Sequence, residues 1–253
     1  MILRLAQVSG QSVALAFFNS GINEQMNKTK IAAMEPSDPN TDSLNHRVPV
    51  QARSKQKRSE ILHQARIIFA ERGCDAANVR DIAAAAKTTH SMIRYHFGTK
   101  DQLWRESVRD MFELLDEALA LDDQSSATLS GLEGFKAYLQ RYIRYSAAHP
   151  EHARIMIMES VRGGDRLDWI VETFIRPLHE NLSERFETSG GIQGMPDMHP
   201  ISFVYILTAA CQMPFVLAQE AKALYGINTL EDEMVETHIE SVMNLFFQDR
   251  AIS

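Results

Sequence analysis

From Arg58 to Leu103 the chain reads RSEILHQARIIFAERGCDAANVRDIAAAAKTTHSMIRYHFGTKDQL. Ile61, Leu62, Ala65, Ile68 and Phe69 recur at helical spacing, which predicts an amphipathic helix from about Lys55 to Arg72, stopped by Gly73. Asn78 is suited to cap a short second helix, Val79 to Ala86, with Asp81 near the positive end of its dipole. Thr89 is suited to cap a third helix that reaches Phe97. Two short helices joined by a tight turn behind a longer one have the geometry of a helix-turn-helix, whose second short helix enters the major groove of DNA.

Within that reading helix Ile93 and Phe97, four residues apart, face inward, and Met92 is read with Ile93 as packing. Thr89, His90, Ser91, Arg94 and Tyr95 are left toward solvent. Arg94 offers a fork that matches guanine O6 and N7, His90 and Ser91 suit base edges or phosphates, and the Tyr95 hydroxyl suits a backbone phosphate. His96 is read in two ways, as a phosphate donor or as a brace at the helix end. The start of the fourth helix is an anion site, with Lys100 beside it.

These residues resemble the DNA-binding domain of TetR-type transcriptional regulators. The landmarks are Ala65, Phe69 and Gly73 in the first helix and Val79-Arg80-Asp81-Ile82-Ala83 in the second, followed by Tyr95-His96-Phe97, Lys100 and Leu103. The resemblance implies an all-α protein of two parts, a helix-turn-helix DNA-binding domain and a helical domain for ligand binding and dimerisation. Departures are visible too. Lys87 stands in the turn where the family usually has glycine, and a left-handed backbone is costly for lysine. Arg94 stands where the family typically has a phosphate-binding tyrosine, and Cys74 stands where an aromatic residue is common.

The charge distribution agrees with a division of labour. The net charge of the 253 residues is −7, yet residues 51–100 hold ten basic against four acidic residues, a net of +6. Residues 101–253 hold twelve against twenty-five, a net of −13. A basic module that meets a polyanion is joined to an acidic body. Two cysteines, Cys74 and Cys211, are too few for a disulfide framework, which fits a reducing cytoplasm, and a lone thiol such as Cys74 is read as a core residue.

Residues 1–52 lack periodicity and contain Pro36, Pro39 and Pro49, so they are read as a disordered arm or as a mis-assigned start. The apolar patch Val13 to Phe18 is too short for a secretory signal. The DNA-binding domain is placed at 53–100, with its helix-turn-helix at about 78–97, and the ligand-binding and dimerisation domain at 101–253.

About nine helices are expected in all. Thr99-Lys100-Asp101-Gln102 and Ser130-Gly131-Leu132-Glu133 are capping boxes that open the fourth helix, to about Leu121, and the fifth. Pro150 suits the first turn of a sixth helix, which Gly163-Gly164 ends, and Asp165 is read as the cap of a seventh. Gly190-Gly191 closes the segment after it. An eighth helix is expected from about Pro200 to Tyr225, and Thr229 is read as the cap of a ninth, with Met234, Ile239, Val242, Leu245 and Phe246 on one side.

Phe203 to Ala218 is apolar nearly all round but, at 16 residues, short of the roughly 20 that span a bilayer. A helix without a polar face needs cover on both sides, so a homodimer is expected, and no membrane. Tyr138, Tyr142, Tyr145, Met156, Met158, Trp169, Phe174, Met213 and Phe215 are residue types that suit either a plain core or a pocket for an unidentified small-molecule effector.

An enzyme is not expected, and no cofactor. Glu60-His63 is the only Glu-x-x-His pair, whereas a helical di-iron site needs two, and His149-Glu151-His152 offers ligand types without a second half. The reading is therefore a ligand-responsive repressor that binds double-stranded DNA at a palindromic operator. An acidic helical adaptor acting through protein partners is the alternative, and a helical metalloenzyme a weaker one.

Overall fold

The structure, a computed structural model, describes residues 50–120, 131–177 and 199–247. Among these are ten helices and no strand: α1 Val50–Ala76, α2 Val79–Ala85, α3 His90–Phe97, α4 Lys100–Leu119, α5 Gly131–Ala148, α6 Pro150–Arg162, α7 Asp165–Ile170, α8 Pro200–Val216, α9 Ala218–Tyr225 and α10 Asp232–Phe247. Residues 1–49 of the arm expected at 1–52, the Ser130 cap and Gly190-Gly191 lie outside the described residues, whereas residues 50–52, expected in the arm, belong to α1. The contacts divide the chain into two units, with the division after Val108, inside α4.

In the first unit, Ile61, Leu62, Ala65, Ile68 and Phe69 of α1 are all buried, together with Ile82, Ala83, Ala86, Ile93, Phe97 and Leu103. Each large side chain among them contributes about 1.5–3 kcal/mol by leaving water. α1 starts about one turn earlier than its apolar stripe suggests, and it is interrupted at Gly73, whose φ of 74° is open to glycine and costly for other residues. Arg72 pairs with Asp81, which ties α1 to α2. Arg58 bonds Glu106 at 2.7 Å and lies over the Phe97 ring, which ties α1 to α4 and α3.

The turn between α2 and α3 keeps a left-handed residue although no glycine is there. Lys87 adopts φ 48°, while Thr88 N–H bonds the Ala83 carbonyl and Lys87 N–H bonds that of Ala84. A left-handed non-glycine residue costs about 1–2 kcal/mol. Lys87→Gly is expected to stabilise the protein by about 0.5–1 kcal/mol, less than the strain relieved because glycine also widens the unfolded ensemble. Urea denaturation checks this: a lower midpoint for the variant would mean that the lysine conformation is not strained.

In the second unit, α5 packs against α6, α8 and α10, and α6 also packs against α7 and α8. Tyr145 Oη donates to the Met111 carbonyl at 3.0 Å and lies 2.8 Å from His152 Nδ1, while the His152 ring stands edge-on to Phe112. Arg144 forms two 2.8 Å bonds to Glu236, from α5 to α10. No single described helix is long and apolar enough to cross a membrane.

Four expectations for this unit need correction. Asp165 does not cap α7; Gly164 precedes the helix in a conformation with φ 86°, and Asp165 is its first residue. That helix continues as a π-helical turn over Val171–Ile175. The single helix expected from Pro200 to Tyr225 is two, bent by 61° at Leu217. Pro214 has no N–H for the Ala210 carbonyl, and His238 takes that carbonyl at 2.8 Å. Arg154 caps the Val216 carbonyl at 3.1 Å.

Thr229 does not cap the last helix, because its hydroxyl donates to the Pro214 carbonyl at 2.8 Å and so closes the same break. On α10, Val235, Ile239, Val242 and Phe246 are buried, whereas Met234 is half-buried and Leu245 is 68% exposed. The inward stripe therefore runs through Val235, and Leu245 falls outside it.

Candidate nucleic-acid interface

α3 presents two faces because Ile93 and Phe97 are anchored in the core four residues apart. Thr89 is its N-cap and accepts the Met92 N–H at 3.2 Å, so the cap that starts the helix also stands at the outer surface. The Thr89 and Ser91 hydroxyls are 2.8 Å apart and bonded to each other. His90, Ser91, Arg94 and Tyr95 are exposed, as expected. The Arg94 guanidinium makes no hydrogen bond or ion pair among the described residues, which leaves its five donors to solvent or to a ligand. Together with Val79, His90, Ile93, Gly98, Thr99 and Lys100, it lines a surface cleft.

Met92 corrects the sequence reading. It is 39% exposed rather than packed, since it lies one residue round from Ile93 on the outer side of a short helix. An exposed thioether at this place suits apolar contact with a thymine methyl group. The eight-residue helix and the Ile93–Phe97 spacing contained that signal, and pairing Met92 with its neighbour obscured it.

His96 is half-buried, with its ring 5.2 Å from that of Tyr95 and 5.9 Å from that of Phe97. Its Nε2 is buried and has no hydrogen-bond partner among the described residues. Of the two readings of His96, this packing supports the brace. Lys100 is half-buried as well, and its Nζ donates to the carbonyls of Asp75 at 2.9 Å and Ala77 at 3.2 Å. Those carbonyls close the loop between α1 and α2, a role that tertiary packing creates and local sequence does not announce. Thr99 caps α4 by accepting the Gln102 N–H at 3.1 Å.

Lys100→Ala is expected to cost about 1–3 kcal/mol of stability, the usual range for bonds with a charged donor. A denaturation midpoint equal to that of the wild type would mean the two carbonyl bonds carry no net energy.

The residues weighed for metal binding are engaged in other ways. Glu60 bonds Gln64, His63 lies 3.4 Å from Arg66, and His149 Nδ1 lies 3.2 Å from Glu151. Among the described residues no group of three His, Cys, Asp or Glu side chains is arranged to hold a metal ion. Cys74 is buried, and burial pushes the Cys211 thiol up to about 12, which leaves Cys211 protonated and unreactive at neutral pH.

A capped short helix with an anchored inner face and an outer face of hydroxyl, imidazole, guanidinium and phenol groups defines a helix-turn-helix module. Residues 61–106 match the family model of bacterial regulatory proteins, tetR family, so this segment is similar to the segment that defines that family. The HTH-type transcriptional repressor Rv3405c of Mycobacterium tuberculosis is 56% identical over 43 residues, 17% of this chain and 23% of that protein. The HTH-type transcriptional repressor KstR2 of Mycolicibacterium smegmatis is 31% identical over 105 residues, 41% of this chain and 48% of that protein. The aligned part thus spans about a quarter to a half of these curated relatives. A solved structure of a HlyIIR mutant protein superimposes with a TM-score of 0.52 at 20% identity, covering 74% of this chain and 97% of that one, a likeness of fold.

Proposed function

We propose that this protein is a DNA-binding transcriptional repressor, acting as a homodimer on a palindromic operator and released by a small-molecule effector. It has no catalytic role in this reading. The single observation that carries it is the outer face of α3: Thr89, His90, Ser91, Arg94 and Tyr95 exposed on a helix whose other side is locked by Ile93 and Phe97. The names of the relatives, transcriptional repressors, support the same direction of control.

Arg94 reads a guanine, His90 and Ser91 contact base edges or phosphates, and Tyr95 contacts the backbone. Thr89 positions the helix start. His96 holds Tyr95, and Lys100 fixes the loop beside α2 while its third N–H is left for phosphate. Residues 53–100 serve as the DNA-binding domain, and residues 101–253 as the domain for the effector and for dimerisation. Effector and operator then oppose each other by linkage, each weakening the other by the same factor.

Dimerisation is supported by α8, where Ile201, Tyr205 and Ile206 form an exposed apolar stripe on a helix whose opposite side is buried through Phe203, Leu207, Cys211 and Phe215. The experiment is a fluorescence-anisotropy titration of labelled duplex by purified protein across a salt series. Affinity that falls linearly on a log–log salt plot, with an excess for one sequence over random duplex, is expected. Equal affinity for every duplex would contradict the proposal.

A further inference from the structure

We propose that the Phe174 ring plugs a site for a planar aromatic effector on the Phe112 face of α4, and that such a molecule acts by taking the place of that ring. This rests on the effector-released repression proposed above and supplies the chemical class of the effector.

All the residues concerned lie in the unit that begins at Arg109. The Phe174 ring is stacked on that of Phe112, with centroids 4.2 Å apart and planes inclined by 6°. Trp169 stands perpendicular to Phe174 at 5.5 Å, and His152 stands edge-on to Phe112 at 5.0 Å. The Arg109 guanidinium lies over the Trp169 ring at 5.4 Å from its centroid. Phe112 is buried whereas Phe174 is half-buried, so Phe174 is the outer cover of Phe112. Stacked and perpendicular arrangements are those that aromatic rings prefer, and they select flat rings over puckered ones of the same volume. The chemistry of the slot is therefore that of its present occupant.

A lightly held turn carries this occupant. Phe174 belongs to the π-helical turn Val171–Ile175, which the Arg176 N–H closes on the Val171 carbonyl, five residues back. None of the five residues is buried, whereas Ile170 just before them is fully buried. Single π-turns are rare and recur at functional sites. Pro177 gives this one a cause, because in a regular helix a proline ring collides with the carbonyl four residues back. A ring on a turn with few buried contacts leaves its slot more readily than one from a packed helix, which is the property of a displaceable plug. Phe112 lies one turn beyond Val108 in α4, the helix whose first part belongs to the DNA-binding unit. A molecule that replaces Phe174 thus bears on the helix that both units share.

The test uses the full chain, a duplex selected by the wild type, and two probes of like size, planar phenol and saturated cyclohexanol. In calorimetric titration Phe174→Ala is expected to bind phenol about ten-fold more tightly than the wild type, because no internal ring has to leave first, and to bind cyclohexanol no more tightly than the wild type does. Phenol is then expected to lower the affinity of Phe174→Ala for the duplex about ten-fold, and to do the same to the wild type at roughly ten-fold higher concentration. Phe174→Leu fills the slot with a side chain that is not flat; its phenol affinity is expected between the two, and it carries the test if the alanine variant does not fold. Equal phenol affinity in the wild type and the variants would overturn the inference. Phenol and cyclohexanol binding alike to Phe174→Ala would also overturn it, as the mark of a plain truncation cavity, and so would phenol binding that leaves DNA affinity unchanged. A wild type that selects no duplex would instead overturn the proposed function, while the calorimetry still decides whether the slot takes a flat ring.

Discussion

Arg94→Ala is expected to weaken operator binding by about 1–3 kcal/mol per half-site and to relax preference at one base pair in each half. The reason is geometric. Arg94 is exposed on the outer face of α3, its guanidinium makes no hydrogen bond or ion pair among the described residues, and Ile93 and Phe97 hold the helix beneath it. A guanidinium is the one group on this face able to donate two parallel bonds to a guanine edge. Binding measured on a panel of single-base operator variants separates base reading from phosphate holding. Uniform weakening across the panel would assign Arg94 to the backbone and move the reading role to His90, Ser91 or Met92.

The second large effect is expected from the exposed stripe of α8. Tyr205 is 71% exposed and Ile201 60%, in line with each other one turn apart. Light scattering of the wild type is expected at about twice 28.6 kDa, and Tyr205→Glu is expected to give the chain mass. Placing a carboxylate in an apolar interface leaves a buried charge without a partner. Loss of the second half-site then reduces operator affinity by a factor on the order of 10² to 10⁴, the usual gain from joining two binding modules. Val216 is a weaker probe than its apolar side chain suggests, because it is half-buried and its carbonyl is tied to Arg154. A wild type at the chain mass would contradict the dimer, and a dimeric Tyr205→Glu would place the interface elsewhere.

The faces of α3 were legible because a cap and a four-residue apolar spacing are local signals. Thr89, Ile93 and Phe97 state where the helix starts and which way it points. The break after α8 was not legible in the same way. Pro214 is visible in the sequence, but helices also continue past proline, and here the freed and terminal carbonyls are taken by His238, Thr229 and Arg154 from distant parts of the chain. The same partnership removed Thr229 from its expected place at the start of α10.

Lys100 teaches a related lesson. A lysine beside a helix start in a basic segment reads as a phosphate contact, and only packing shows that its ammonium lies on backbone carbonyls. Lys87 runs the other way. Local preference argued against a left-handed lysine, yet the turn holds it there, with Thr88 N–H bonded back to Ala83 and Thr89 capping the next helix. Leu245 was misplaced because α10 turns its stripe through Val235, a residue that a period counted from Met234 passes over.

Selection of bound duplexes from a random pool by the purified full chain, at moderate salt, tests the central claim most directly. The expected result is enrichment of one inverted repeat with a guanine in each half whose replacement costs as much as Arg94→Ala. A pool that stays random after repeated rounds, with binding that depends on salt alone, would contradict a sequence-reading repressor.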